Sequence, residues 1–286
     1  MTTESVLSEV APLDLRLSEA ELEATRDRIV SFVREVVDDA GADGAVLGLS
    51  GGIDSTTTAY LAVEALGPEG LHGLVMPSSV NTADNMSDAE RVAEDLGIEY
   101  DVIDVEPVVE AFFDAFPEPN VDERLDADPL RTAAGNVRVR TRAVLNYFVA
   151  NAEHRVVLGT GNRTEALTGY YTKYGDQAVD CNPIGTLYKQ QVRQLAAHLG
   201  VPHDLVTKTP SAEMWIGQTD EAEMGVGYDV VDAILALHVD GPLSKAATLR
   251  TLGDAVSAAD VDRVVELYEA SAHKRAMPPA PDSPRL

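Results

Sequence analysis

Cysteine is almost missing from this chain of 286 residues. Cys181 stands alone, which excludes a disulfide framework, a Cys-rich zinc site and a Cys-ligated iron–sulfur cluster. Basic charge is scarce as well: 22 Lys and Arg face 48 Asp and Glu, a formal net charge of −26. That balance argues against nucleic acid and against an anionic membrane surface as partners, because both recruit basic patches. No apolar run approaches the roughly 20 residues that cross a bilayer, and the N-terminus has no signal-peptide pattern, so a soluble, cytoplasmic protein is expected. Lysine is scarcest of all. Against 17 Arg there are only Lys173, Lys189, Lys208, Lys245 and Lys274. High negative charge with little lysine suits a protein kept soluble in concentrated salt, where ions screen its self-repulsion. On a surface so emptied, each remaining lysine is a stronger candidate for a task.

A hydrophobic fraction of 45% is ordinary for a globular chain, so the acidity does not signal disorder. Residues 1–17 read as a lead-in. Ser18 and Glu21 make a capping-box pattern, and Leu22, Ile29, Phe32, Val33, Val36 and Val37 follow at helical spacing, which predicts a helix over 19–40. Beyond it, strand-like runs at 45–49, 71–76, 100–105 and 155–159 alternate with helical patterns at 55–66, 83–96, 107–116 and 130–152. An acidic loop is expected at 117–129. The alternation predicts an α/β fold, a doubly wound parallel sheet with helices on both faces. Residues 169–185 and 209–227 read as long irregular segments, 187–199, 228–238 and 259–273 as helices, and 278–284 as a Pro-rich tail. With neither internal repeat nor linker, a single domain over 1–286 is expected.

The informative segment is Gly48-Leu49-Ser50-Gly51-Gly52-Ile53-Asp54-Ser55, between a predicted strand and a helix. Its glycines allow successive N–H groups to face one concavity, and the helix behind adds its unpaired donors and positive dipole end. Ser50 and Ser55 add hydroxyls, which completes a phosphate cradle. Neither G-x-x-x-x-G-K-[ST] nor G-x-G-x-x-G is present; Gly159-Thr160-Gly161 begins the latter, but position 164 is Thr. Asp54 inside the cradle would repel phosphate unless a cation intervened, and Mg²⁺ suits a site of one or two carboxylates plus phosphate oxygens.

Ser-Gly-Gly-x-Asp-Ser after a buried strand resembles the pyrophosphate-binding loop of the N-type ATP pyrophosphatases, which split ATP into AMP and pyrophosphate to adenylate a substrate. The second half selects among them. Gly159-Thr160-Gly161-Asn162-Arg163-Thr164-Glu165, Thr168-Gly169-Tyr170-Tyr171-Thr172-Lys173-Tyr174-Gly175-Asp176, Asp180-x-Asn182-Pro183, Lys189, Pro210-Ser211-Ala212-Glu213 and His273-Lys274-Arg275 resemble NAD synthetase, as does Asn136-x-Arg138-x-Arg140. The likeness runs from about residue 25 to 278.

The resemblance implies an adenine nucleotide alpha hydrolase-like fold and the last step of NAD biosynthesis. ATP adenylates the nicotinate carboxylate of deamido-NAD, and ammonia then displaces AMP. It implies that Gly48, Leu49, Ser50, Gly51, Gly52, Ile53, Asp54 and Ser55 bind ATP with Thr160, Lys189 and Ser211, and that Asp54 and Glu165 hold Mg²⁺. Arg140, Lys173, Asp180, His273 and Lys274 match deamido-NAD-binding positions, Asp176 a position that helps receive ammonia. Catalytic roles are expected of Asp176, Ser50 and Lys189, and adenine contacts near Leu47 and Met76. A homodimer is implied, with 130–152 and 259–273 as candidate surfaces.

Plainer readings stand beside these: Glu165 as a helix cap, Tyr170, Tyr171 and Tyr174 as packing, His273-Lys274 as helix-dipole compensation. Ser211 replaces a Thr common in the family, Tyr171 a Phe, and Gly161-Asn162-Arg163 the Asp-His-Ala of many bacterial members. No glutaminase domain with its Cys nucleophile is recognisable, so free ammonia is the expected nitrogen donor. A tRNA-thiolating pyrophosphatase is the enzymatic rival, disfavoured by one Cys and the acidic surface. A catalytically silent nucleotide sensor is the rival of another class.

Overall fold

Side chains alternate along each strand, and here both faces of the sheet are covered. The computed structural model describes residues 11–80, 83–115, 128–212, 214–215 and 217–281. Most of the loop expected at 117–129 lies outside these residues, as do positions 1–10, Glu213 and the end of the Pro-rich tail. Strands β1 (Ala45–Leu49), β2 (Leu71–Val75), β3 (Glu99–Val102) and β4 (Val156–Leu158) form one parallel sheet in the order β3-β2-β1-β4. Ala45 pairs with both Leu71 and Val156, which sets the register of β2, β1 and β4. Ala45, Leu47, Leu49, Leu71, Val75, Val156 and Leu158 point to one face, whose core they share with helix α1 (Glu19–Ala40), α2 (Ile53–Leu66) and α7 (Lys189–His198). Val46, Leu74 and Val157 point to the other, against Val105, Val149 and Ala150. Strands buried on both faces are the expected partners of βαβ crossovers.

Local chemistry explains the element ends. Ser18 and Glu21 cap α1 reciprocally, and Gly41 ends it in the left-handed conformation. Helix α2 begins at Ile53, two residues before the expected start, because Gly52 is its N-cap; Asp54 therefore lies in the first turn. Thr56, Thr57 and Thr58 are almost fully buried, and each hydroxyl donates to the carbonyl four residues earlier, which satisfies a polar run inside the core. Helices α3 (Ala83–Leu96), α4 (Glu106–Asp114) and α5 (Asp128–Glu153) follow, then the short α6 (Arg163–Thr168) ahead of α7. β3 stops at Val102 rather than 105, although Ile103 and Val105 still donate to Val75 and Pro77.

The C-terminal part differs more from expectation. After α8 (His203–Val206), the segment expected to be irregular contains α9 (Asp220–Met224), capped by Thr219 and stopped by Gly225. α10 (Tyr228–Ile234) passes into a π-turn at Leu235–Val239. α11 (Lys245–Leu252), capped by Ser244, had no expected counterpart, and α12 (Ala258–Ala270) completes a separate apolar cluster around Val231, Ile234, Leu235, Val264 and Val265. Among the described residues no helix is long and apolar enough to cross a membrane.

Leu47 is wholly buried between the layers. Leu47→Ala is expected to destabilise the fold by about 2–5 kcal/mol, read as a lower denaturant midpoint with an unchanged slope.

Candidate active site

Topology locates the site before any side chain does. β1, β2 and β3 step outward in one direction, then the chain crosses back so that β4 pairs with the other side of β1. Parallel sheets bind ligands at such a switch point, beyond the carboxyl ends of the strands. Beyond β1 is the Gly-rich turn and beyond β4 is Gly159-Thr160. Both border a cavity of about 450 Å³, large enough for a nucleotide-sized ligand.

The turn is tightly organised. Gly51 has φ +71°, a conformation that side chains disfavour. Ser50 and Ser55 hydroxyls are 3.1 Å apart, and the Ser55 hydroxyl accepts from Ser50 N–H and donates to the Gly52 carbonyl. Gly48 is closely neighboured: a Cβ there would meet Met76 Cε at 3.3 Å and the Asn146 amide at 3.5 Å, so the methionine would have to give slightly.

Behind the turn is a buried cation. Lys189 Nζ, on a side chain only 2% exposed, donates to Asp54 and, at 3.4 Å, to Glu165 Oε1. Burial works against the ammonium charge, but Asp54 and Glu165 outweigh it and hold the Lys189 pKa above that of an ordinary lysine. Burial raises the Glu165 pKa, with Lys189 opposing. Asn162 locks the arrangement. It is the N-cap of α6, accepts from Glu165 N–H at 3.0 Å, and donates to Asp54 Oδ1 at 2.9 Å. Glu165 is thus both a cap, returning to Asn162 N–H at 3.2 Å, and a partner of the buried cation. Arg163, the next residue, pairs with Asp240, tying α6 to the end of the π-turn.

Asp232 staples two helix starts together. One oxygen accepts from Thr164 Oγ1 at 2.5 Å and the other from Gln190 N–H at 3.0 Å, while Thr164 Oγ1 accepts from Lys189 N–H. The residues carrying Glu165 and Lys189 are therefore held to one point on α10.

The far end of the cavity is built from the 169–185 segment and the C-terminus. Asp176 lines it, with Oδ1 accepting from Thr172 N–H at 2.8 Å, and burial pushes its carboxyl up to about 6. Thr172 in turn donates to Asn136 Oδ1, on α5. Lys274 also lines the cavity; its Nζ donates to the carbonyls of Gly169 and Tyr171 and lies 5.1 Å from the Tyr171 ring centroid. Tyr170 donates to Glu223 and accepts from Gln218. Tyr174 adopts φ +59° and is exposed.

Of the residues expected at the site, Gly48, Leu49, Ser50, Gly52, Ile53, Asp54, Ser55, Thr160, Glu165, Asp176, Lys189, Ser211 and Lys274 line the one cavity. Arg140, Lys173 and His273 adjoin it as a chain of contacts: Arg140 donates to the Lys173 carbonyl and Lys173 Nζ to the His273 carbonyl. Asp180 follows the lining residues Ala178 and Val179 and accepts from Tyr147 and from Val157 N–H, beside the Leu158–Cys181 bridge. Two further residues singled out by the sequence lie outside the cavity lining. Leu47 belongs to the core beneath the sheet end and does not reach the cavity; Gly48, Leu49 and Met76 do. Arg138, inside a quoted motif, turns instead to Glu106 at 2.8 Å and joins α4 to α5. Burial pushes the Cys181 thiol up to about 11, away from a nucleophilic thiolate. Arg142, Asn146, Lys208 and Asp220 also line the cavity but have no motif around them.

A family model described as NAD synthase matches residues 25–278. The NH(3)-dependent NAD(+) synthetase of Halobacterium salinarum is 63% identical over 272 residues, covering 95% of this chain and 98% of the relative. Its counterpart from Methanosarcina acetivorans is 46% identical over 263 residues, 92% and 99% of the two chains. Among solved structures, NMN synthetase from Francisella tularensis aligns with TM-score 0.77 at 33% identity, covering 94% of this chain and all of that one. The NH3-dependent NAD synthetase from Campylobacter jejuni aligns with TM-score 0.73 at 29% identity, covering 91% and 99%.

Burial pushes the Asp232 carboxyl up to about 6 despite its two donors. A carboxyl whose folded pKa is raised keeps its proton longer in the fold than in the unfolded chain. Its burial therefore costs stability progressively as pH rises from about 4 to 6. Asp232→Asn is expected to gain on the unsubstituted protein by about 2–3 kcal/mol across that window, read from denaturation at pH 4 and pH 7. A difference independent of pH would contradict this.

Proposed function

The chain belongs to the NAD synthase family, and from that premise we propose how its own residues carry the reaction. The reaction is ATP-dependent amidation of deamido-NAD by ammonia to give NAD, a ligation that forms a carbon–nitrogen bond. One observation supports the residue assignment above the rest: a single cavity has a phosphate cradle with a buried cation at one end and Asp176 with Lys274 at the other.

A carboxylate is a poor electrophile. Its oxygen attacks the α-phosphorus of ATP, the bond to the bridging oxygen breaks, and pyrophosphate leaves with the electron pair. The acyl-adenylate then accepts ammonia, and AMP departs. Ser50, Ser55 and the backbone of the Gly-rich turn bind phosphate oxygens, and Thr160 and Ser211 hold the nucleotide from the two sides contributed by β4 and the 209–227 segment. Lys189 meets the charge developing at the phosphates, an electrostatic contribution. Asp54 and Glu165 already converge on one cation, and two hard-oxygen ligands beside a phosphate cradle fit Mg²⁺. When bound there, Mg²⁺ would neutralise charge on the leaving pyrophosphate. Arg140, Lys173, Asp180, His273 and Lys274 bind deamido-NAD, and Asp176 orients ammonium and accepts its proton.

The homodimer also belongs to this proposal. Val144 and Phe148, one turn apart on α5, are each 69% exposed, and Val108 and Phe112 are exposed on α4. α12 offers no comparable apolar side chain, so the 130–152 surface is favoured over 259–273.

Three measurements test the reading. The purified protein with ATP, ammonium and deamido-NAD should form NAD with stoichiometric AMP and pyrophosphate, and should prefer deamido-NAD over its mononucleotide counterpart. A preference for the mononucleotide would place it with the activity in the name of the Francisella neighbour. Asp54→Asn should lower turnover by about two orders of magnitude or more while leaving the melting temperature within a few degrees. In the unsubstituted protein the acid limb of kcat/KM should titrate near the Asp176 value of about 6, activity falling below it. An acid limb unchanged in Asp176→Asn would remove that residue from proton transfer.

A further inference from the structure

Five lysines survive on this acidic chain, and the assignment above uses Lys173, Lys189 and Lys274. Lys245 pairs with Asp262 at the surface. Lys208 is left over, and it lines the cavity beside Ser50, Gly52, Ser55 and Ser211. It lies just after α8, at the head of the 209–227 segment. Its Nζ donates to the Gly51 carbonyl at 3.2 Å and to Asp88 Oδ2 at 2.6 Å. Gly51 is the residue of the phosphate cradle with positive φ, so the ammonium stands at the cradle itself.

The two cavity-lining lysines near the turn differ in freedom. Lys189 is 2% exposed and held by Asp54 and Glu165, whereas Lys208 is 27% exposed. Leaving its present partners costs Lys208 little. A carbonyl and a carboxylate that is itself 21% exposed are replaceable by phosphate oxygens, which accept charge-assisted bonds. Asp88 would not be stranded, because Arg91 lies 3.2 Å from its other oxygen and pairs with Asp204 at 2.7 Å.

We propose that Lys208 is a second phosphate-binding cation of this site: its ammonium moves from Gly51 and Asp88 onto the β- and γ-phosphates of ATP and stays with the departing pyrophosphate. The proposal rests on the adenylating reaction proposed above. As the substrate oxygen bonds to the α-phosphorus and the bridging bond breaks, the electron pair goes to pyrophosphate, and Lys208 stabilises that charge without gaining or losing a proton.

Titration calorimetry with inorganic pyrophosphate and Mg²⁺, with AMP as a second probe, tests this in the full chain. Lys208→Met should weaken pyrophosphate binding about ten- to a hundredfold and change AMP binding by no more than about twofold. Lys208→Arg should restore most of the affinity, and Asp88→Asn, which frees the ammonium, should tighten pyrophosphate binding a few-fold. Native pyrophosphate affinity in Lys208→Met, or parallel loss of AMP and pyrophosphate, would overturn the proposal. So would weaker pyrophosphate binding in Asp88→Asn, since that outcome means the Lys208–Asp88 pair only props up the turn. A chain that forms NAD yet shows native pyrophosphate affinity in Lys208→Met loses this proposal alone; one that forms no NAD loses the reading of the site with it.

Discussion

The ammonium of Lys189 is the point on which the site is assembled. It draws together Asp54 from the turn after β1, Glu165 from the helix after β4, and its own helix α7. A lone charge at this depth is prohibitive, and a buried pair with one partner removed leaves an uncompensated charge. The three segments therefore have to meet in one arrangement. Asn162 and Asp232 narrow the choice further, the first linking Asp54 to the start of α6, the second linking the starts of α6 and α7 to α10. The switch point between β1 and β4 brings the segments near each other, and the charges fix how they meet.

The parts legible in the sequence were those governed by local chemistry. Short, nearly continuous apolar runs at 45–49 and 71–75 belong to strands buried on both sides, and Ser18 with Glu21 marks a helix start in any context. The Gly-rich turn is readable because backbone conformation is a property of neighbouring residues. What escaped depends on contacts distant in sequence. Asp232 lies in an ordinary helical pattern, and nothing near it shows that Thr164, 68 positions away, will donate to it. Lys208 meets Asp88 across 120 positions. Arg138 shows the converse: a residue within a recognisable motif whose partner, Glu106, belongs to another helix and turns it from the cavity. Leu47 itself is core, while Gly48, Leu49 and Met76 at the same strand ends line the cavity, a distinction set by depth along the strand that an apolar run does not reveal.

The C-terminal layer extends this frame rather than forming part of the sheet. Arg163 pairs with Asp240, and Tyr188 also donates to Asp240, so the start of α6 and the residue before α7 share an anchor at the end of the π-turn. A π-turn widens the helix by one residue per turn and shifts the side chains that follow it. Here it ends at Asp240, the residue that accepts from Arg163 and Tyr188. The helical content of 228–239 is visible from its apolar pattern; the extra residue is not, because the residue that needs it lies in another element.

The depth of Lys189 also divides the electrostatics of this molecule into two regimes. Charges in open solvent are screened within about 10 Å at 0.1 M salt and within about 3 Å at 1 M. Lys189, Asp54 and Glu165 lie where mobile ions have little access, so their mutual attraction is nearly independent of ionic strength. The acidic shell responds in the opposite way, its self-repulsion fading as salt rises. Such a molecule keeps this buried geometry across a wide range of salinity while its overall stability varies with the medium. Salt therefore acts on the shell and leaves the inner architecture unchanged.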